Sequence, residues 1–210
     1  ANRNDGDPII LYDEQADRWF VTEFSIPYTG PNYILLAVSS TNDPTGTWHQ
    51  YSFQVASMPD YPKFGIWPDG YYMSVNQFNQ VKMTWGGQGV VVFERNKMLN
   101  GQTARMLYFD LYSTDANLGG MLPSDLDGQA PPAGEPNYYV TFDWLKVELQ
   151  VAEKTPDFDQ QPHDVIVIIP RGLGFIGISQ LNALLIASTV SEMASSYNWQ
   201  QESKPYIVSP

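Results

Sequence analysis

Residues 18–24 (RWFVTEF) decide the fold of this chain, because the same pattern returns twice further along. It is an aromatic pair, then small or β-branched residues, then Phe, and it recurs at 71–78 (YYMSVNQF) and 137–142 (NYYVTF). Such segments are typical of half-buried β-strands. Trp19 and Tyr72 are 53 residues apart, and Tyr72 and Tyr139 are 67 apart. A repeat of this length predicts β-propeller blades.

Turn signals divide the chain between these repeats into short strands. In the first unit, apolar runs at 9–12, 33–39 and 48–53 accompany the repeat, and the turn NDPTG separates the last two. That gives about four strands in roughly fifty residues, the size of one propeller blade. Similar runs follow in the second and third units, and residues 95–101 indicate a helical turn or loop. The alternative is an aromatic-rich β-sandwich in which the repeat is a coincidence.

We therefore expect an all-β, β-propeller-like fold of about three to four blades over residues 1–155. Residues 156–210 form a second part of different character. It combines a polar linker at 155–164 with one further strand at 165–169 and a short helical segment at 179–197, which has apolar residues at helical spacing.

Composition narrows the classes of partner. The net charge is −12, with a pI near 4.3, so polyanionic nucleic acid and acidic membrane surfaces are disfavoured. The absence of cysteine excludes disulfides, thiolate nucleophiles and zinc–thiolate sites. The apolar stretch at 176–190 is interrupted by Ser, Gln and Asn, so it does not predict a membrane span.

Several short segments resemble a mostly uncharacterised group of large secreted bacterial proteins of propeller type. The resemblance runs in order from about residue 4 to about residue 151 and implies a secreted propeller. Such proteins usually carry further sheet sequence before the equivalent of Asp5, which implies an incomplete propeller here. The tail at 156–210 is unlike them. The segments that carry the resemblance are 6–8 (GDP), 12–13 (YD), 17–19 (DRW), 43–48 (DPTGTW), 60–63 (DYPK), 67–69 (WPD), 95–99 (RNKML) and 122–128 (LPSDLDG).

Acidic residues are the main candidates for chemistry. Asp7, Asp60 and Asp125 each stand near the start of one unit, where axial ends of inner strands would meet in a propeller. Converging carboxylates would serve as general acid and base on a glycosidic bond, or hold Ca²⁺. The structural alternative is that Asp beside Pro opens turns and caps its own backbone.

A calcium site and an aromatic surface that binds sugar rings are two further expectations. Asp125 and Asp127 resemble the start of a calcium loop, although the later ligands of an EF-hand are missing. Rim aromatics offer flat apolar faces to sugar rings, but aromatics of a sheet also form cores. The four candidates of this kind are Trp19, Trp67, Tyr71 and Tyr72.

A histidine-based triad is not expected. The chain has two histidines, His49 in a predicted strand and His163 in the linker, and neither stands beside a nucleophile-elbow pattern.

Three functions remain open, and the balance leans toward a hydrolase. The first is a secreted hydrolase-like propeller that acts on or binds a glycan through its axial carboxylates. The second is a Ca²⁺-dependent hydrolase of a small molecule, such as a lactonase, in which the metal polarises a carbonyl and activates water. The third is a non-catalytic recognition or adhesion module. Exposed sheet edges would also favour a homo-oligomer.

Overall fold

The structure is a computed structural model that describes most of the chain. The predicted linker at 155–164 and the predicted helix at 179–197 lie outside the described residues. The backbone is described for residues 4–143, 148–154, 166–168 and 206–207, and side chains for residues 4–141.

The described strands form three antiparallel sheets, and each sheet contains four consecutive strands in sequence order. The first sheet contains β1 (Gly6–Asp13), β2 (Arg18–Ser25), β3 (Asn32–Ser39) and β4 (Trp48–Val55). The second contains β5 (Met58–Ile66), β6 (Tyr71–Phe78), β7 (Trp85–Phe93) and β8 (Met106–Asp110), and the short helix α1 (Arg95–Leu99) joins its last two strands. The third contains β9 (Leu122–Pro123), β10 (Asn137–Asp143), β11 (Glu148–Lys154) and β12 (Ile166–Ile168). A final strand, β13 (Tyr206–Ile207), pairs with β4 at the edge of the first sheet.

The prediction of an all-β fold is confirmed for the described part of the chain, whose sheets are antiparallel. The repeated pattern falls on β2, β6 and β10, which are the second strands of the three sheets. The helical turn predicted at 95–101 is α1. No helix within the described part of the chain is long and apolar enough to cross a membrane.

The three sheets stack face to face in chain order. We call the face toward the next sheet the front and the face toward the previous sheet the back. Apolar side chains on the front of the first sheet pack against the back of the second: Phe20 contacts Tyr71 with ring centroids 4.6 Å apart, and Phe53 contacts Phe93 at 4.9 Å. Burial of apolar surface between the sheets is the main stabilising term.

The second boundary repeats the first. The front of the second sheet, with Tyr72, Val90 and Val92, packs against Tyr139 of β10. Strand β6 therefore alternates between two cores, with Tyr71 and Met73 on its back and Tyr72 on its front. A strand covered on both faces is buried at nearly every position, and six of the eight residues of β6 are buried.

In the second and third sheets, a tyrosine on the second strand forms a hydrogen bond to the preceding sheet. The hydroxyl of Tyr71 in β6 donates to Asp13 Oδ2 at the end of β1 (3.0 Å). The hydroxyl of Tyr139 in β10 lies within hydrogen-bonding distance of the carbonyls of Met73 (3.2 Å) and Val91 (3.0 Å) in the second sheet. Burial raises the pKa of both phenols well above the usual value, so both remain neutral donors.

Candidate functional site

A proline bulge interrupts the first strand of the first two sheets. In β1 the extra residue lies in the segment that contains Asp7 and Pro8, and in β5 in the segment that contains Tyr61 and Pro62. Asp7 and Tyr61 both have φ of 50°, a left-handed conformation that is uncommon outside glycine. Bulges of this kind re-aim side chains and are frequent beside functional sites. The bulges therefore direct attention to the start of the first strands.

The positions of the bulges show which residues of β1 and β5 are equivalent: Asp7 corresponds to Tyr61, and Gly6 corresponds to Asp60. Asp7 and Asp60 are consequently one position out of step with each other. Asp7 is exposed, whereas Asp60 is half-buried and pairs across the sheet with Asn76 of β6.

Strands β1 and β5 are neighbours and end on the same side of the stack. Asp13 at the end of β1 accepts a hydrogen bond from Tyr71, which pairs with Ile66 at the end of β5. Asp7 and Asp60, near the starts of these strands, therefore lie on the other side together.

The structure places Asp125 away from the other two acids. Its Oδ1 accepts a hydrogen bond from the backbone N–H of Ile66 (2.8 Å). Ile66 follows Asp60 by six positions in β5, and a strand rises about 3.3 Å per residue, so roughly 20 Å separates the two places. The described geometry thus brings Asp7 and Asp60 to one end and Asp125 to the opposite end.

Asp125 joins the second and third sheets at a close backbone approach. A Cβ on Gly65 would stand 2.2 Å from the carbonyl oxygen of Ser124, which only glycine permits. The bond from Asp125 to Ile66 fixes the chain beside this contact. Its carboxylate therefore has a structural task.

Asp125 and Asp127, the two residues expected to bind Ca²⁺, differ in their surroundings. One oxygen of Asp125 already accepts the Ile66 N–H, and Asp127 is exposed. Among the described residues, no group of three or more acidic or histidine side chains is placed to hold a metal ion. Calcium prefers six to eight oxygen ligands, so these two carboxylates alone do not complete its coordination.

Three of the four aromatic candidates lie in the core. Tyr71 and Tyr72 are at most 1% exposed, and Trp67 is buried with its indole Nε1 donating to Glu135 O (2.8 Å). The fourth, Trp19, is half-buried on the back of the first sheet, where its ring contacts Tyr12 at 4.9 Å. The first three rings are thus closed to a sugar.

Trp85, at the start of β7, is an exposed aromatic residue that the sequence-based prediction did not name. The residue is 38% exposed, and its ring packs edge-on against Phe78 (centroids 5.4 Å apart). The indole Nε1 donates to Ala116 O (2.7 Å), and a Cβ on Gly119 would stand 2.9 Å from the ring. The ring is therefore held in one orientation with part of its surface in water.

Polar groups of the second sheet lie beside Trp85. Asn76 Oδ1 accepts the N–H of Gly120 (2.9 Å), in the loop that touches the Trp85 ring, and Asn76 pairs with Asp60. We call Asp60, Asn76 and Trp85 the Trp85 cluster.

A hydrogen-bond network ties β6 to β8 near the same end of the second sheet. Gln77 Nε2 donates to Asp110 Oδ1 (2.9 Å), and the hydroxyl of Tyr108 donates to Gln77 Oε1 (2.9 Å). The N–H of Tyr112 donates to the same Asp110 oxygen (2.9 Å). Burial and the nearby Asp110 charge raise the pKa of Tyr108, which keeps its phenol a donor.

The glycines after Trp85 are a sequence signal for close packing on the backbone near the start of β7. Gly87 has φ of 88° and leaves no room for a Cβ beside Tyr112, which lies 2.8 Å from the position a Cβ would occupy. The Tyr112 side chain therefore packs directly on the backbone of Gly87. Which aromatic side chains stay exposed depends on how the sheets stack, and the sequence pattern does not show this.

His49 has a packing role in the described structure. Its ring lies against Gly101, and its Nε2 is 3.5 Å from Ser40 Oγ. His163 lies outside the described residues.

Comparison of the chain with protein-family models, with curated proteins and with solved structures finds no match.

Proposed function

We propose that this chain is a propeller-type module that binds a glycan at the Trp85 cluster. The observation that carries the proposal is the partly exposed Trp85 ring, which is fixed by Ala116 and Phe78 and lies beside the Asp60–Asn76 pair. A pre-oriented aromatic ring loses little conformational entropy when a ligand packs on it.

The chemistry of the cluster suits a sugar. The C–H groups of a pyranose ring form an apolar face that packs on an indole, while its hydroxyls need hydrogen-bond partners. Asp60 offers carboxylate acceptors, and Asn76 offers an amide. The net charge of −12 disfavours anionic polysaccharides, so we expect a neutral or basic glycan.

Isothermal titration calorimetry, after a glycan array has selected a ligand, tests the proposal. Trp85→Ala is expected to weaken binding by about tenfold or more, because the packing surface is lost. Trp48→Ala is the matched control, since Trp48 is a half-buried indole on the first sheet with a comparable bond from Nε1 to Pro44 O (3.1 Å). Equal affinity of Trp85→Ala and wild type would contradict the proposal.

The propeller arrangement is supported by the stacking of three four-stranded meanders and by their first strands, which lie side by side from β1 to β5 to β9. In a propeller these strands surround a central axis. A crystal structure tests this arrangement, and sheets that stack without a shared axis would argue against it.

The resemblance to secreted propeller-type proteins supports a location outside the cell. Fractionation of the native host tests this. We expect the protein in the medium or at the surface, and its confinement to the cytosol would refute secretion.

A glycosidase is the second candidate, because Asp7 and Asp60 share one end of the stack. Paired carboxylates cleave glycosidic bonds when they flank the bond at a suitable separation. Release of reducing ends from the bound glycan would favour this function, whereas binding without turnover would favour recognition alone.

A further inference from the structure

The back face of the first sheet presents apolar side chains to solvent. Ile10 is 64% exposed and Tyr12 is 39% exposed, while Trp19 and Val21 are half-buried. These four residues share one face because Tyr12 pairs with Trp19, and Ile10 pairs with Val21, across β1 and β2. Glu23 follows on the same face of β2.

The matching positions of the second sheet belong to the core. There Ile66 pairs with Tyr71, and Phe64 pairs with Met73, across β5 and β6. All four are at most 9% exposed, because the front of the first sheet covers them. The back of the first sheet thus has the apolar pattern of a face that another sheet covers.

The stack has one direction, since each back face receives the front of the sheet before it. Contacts of this head-to-tail kind use two different surfaces, so association that continues them begins with a dimer and can extend to longer assemblies at higher concentration. The back of the first sheet therefore continues an interface that the molecule already uses twice.

The edges of the sheets are less suited to association than this face. Pro8 lies in the edge strand β1, and Pro59 and Pro62 lie in the edge strand β5, where missing N–H groups and bulges oppose strand pairing. On the opposite edge of the first sheet, β13 already pairs with β4.

We propose that the back of the first sheet is a self-association surface that takes a sheet of a second copy of this chain. Four strands spaced about 4.8 Å apart, with eight residues each at about 3.3 Å, present roughly 500 Å². Two such faces bury about 1,000 Å², which is the lower limit for a specific interface. Glu23 on the same face opposes tight binding, so the dimer is weak and depends on concentration.

Sedimentation-velocity ultracentrifugation of the 210-residue chain, from about 1 to 200 µM, tests this proposal. Wild type is expected to shift from monomer toward dimer across this range. Ile10→Glu places a charge in the interface and is expected to weaken association by about tenfold or more. The side chain is largely exposed in the monomer, so folding and Tm should be retained.

Val81→Glu is the matched control, because Val81 is 91% exposed in the turn after β6, away from this face. It should associate like wild type. A wild-type chain that stays monomeric throughout the range, or an Ile10→Glu chain that dimerises as well as wild type, overturns the proposal. Equal loss in both variants would point to non-specific association and overturn it as well.

Discussion

Arg95 and Asp13 form a buried, two-point ion pair that fastens helix α1 to the end of β1. Arg95 Nε lies 2.6 Å from Asp13 Oδ2, and Nη2 lies 2.7 Å from Oδ1. The same carboxylate accepts bonds from the Tyr71 hydroxyl and from the N–H of Ala16, and Arg95 Nη1 donates to Pro68 O. Because several partners satisfy both charged groups, the pair is retained in the interior.

Asp13→Asn is expected to lower the free energy of unfolding by about 3 kcal/mol, because it leaves the buried Arg95 charge without its counter-ion. Urea denaturation measures the change. Asp127→Asn is the control, since Asp127 is exposed, and it should change the stability little. Similar stabilities of the two variants would show that the pair contributes nothing measurable.

Gly65 gives a second stability prediction, at the boundary of the second and third sheets. Gly65→Ala forces a methyl group toward Ser124 O and the adjacent carbonyl carbon, which stand 2.2 and 2.8 Å from the Cβ position. Backbone atoms cannot give way cheaply, so we expect a loss of about 2 kcal/mol or more. Thermal unfolding measures it, with Gly46→Ala as the control in an exposed loop. An unchanged Tm would mean that the two strands lie further apart.

The periodicity of the sequence was sufficient to predict most of the described strands and the four strands of the first unit. Trp19, Tyr72 and Tyr139 lie on equivalent strands, because an aromatic pair followed by β-branched residues suits a half-buried surface. The face of the sheet on which each of these side chains lies was not predictable, since a register shift of one residue moves every side chain of a strand to the opposite face. Tyr72 points to the front, whereas Tyr139 points to the back.

The sequence analysis named one member of the candidate site. Asp60 was selected because acids recur at the starts of units, and it lies in the Trp85 cluster. Asp125 was grouped with it, yet its partner Ile66 stands 59 positions away in the chain, a contact that only the stacking creates. Trp85 was missed because sequence composition counts aromatics without showing which ones reach solvent.

Glu23 should make the stability depend on pH. Burial raises its pKa, so the folded protein holds this proton more tightly than the unfolded chain does. Its contribution to stability is therefore present below the unfolded pKa and is lost as the pH rises through the raised value. We expect Glu23→Gln to be more stable than wild type at pH 7.

The difference between Glu23→Gln and wild type should shrink as the pH falls below about 4, where both side chains are neutral. Urea denaturation at several pH values, at a concentration that keeps the chain monomeric, measures it. Glu14→Gln serves as the exposed control. A wild-type chain that exceeds Glu23→Gln in stability at pH 7 would contradict the expected sign.

Asp60→Asn separates glycan recognition from glycan hydrolysis. If Asp60 only accepts hydroxyl bonds, loss of its charge should weaken glycan binding by about tenfold, the value of one charge-assisted hydrogen bond. Asp7→Asn should then leave binding unchanged. If the two acids form a catalytic pair, either variant should abolish turnover while much of the binding persists. Calorimetry and a reducing-end assay on the same preparations distinguish these outcomes.

Asp125→Asn is the matched control, because the Asp125 carboxylate accepts a hydrogen bond from Ile66 at the opposite end of β5. An equal loss of binding in Asp125→Asn and Asp60→Asn would show that the effect comes from the fold rather than from the Trp85 cluster.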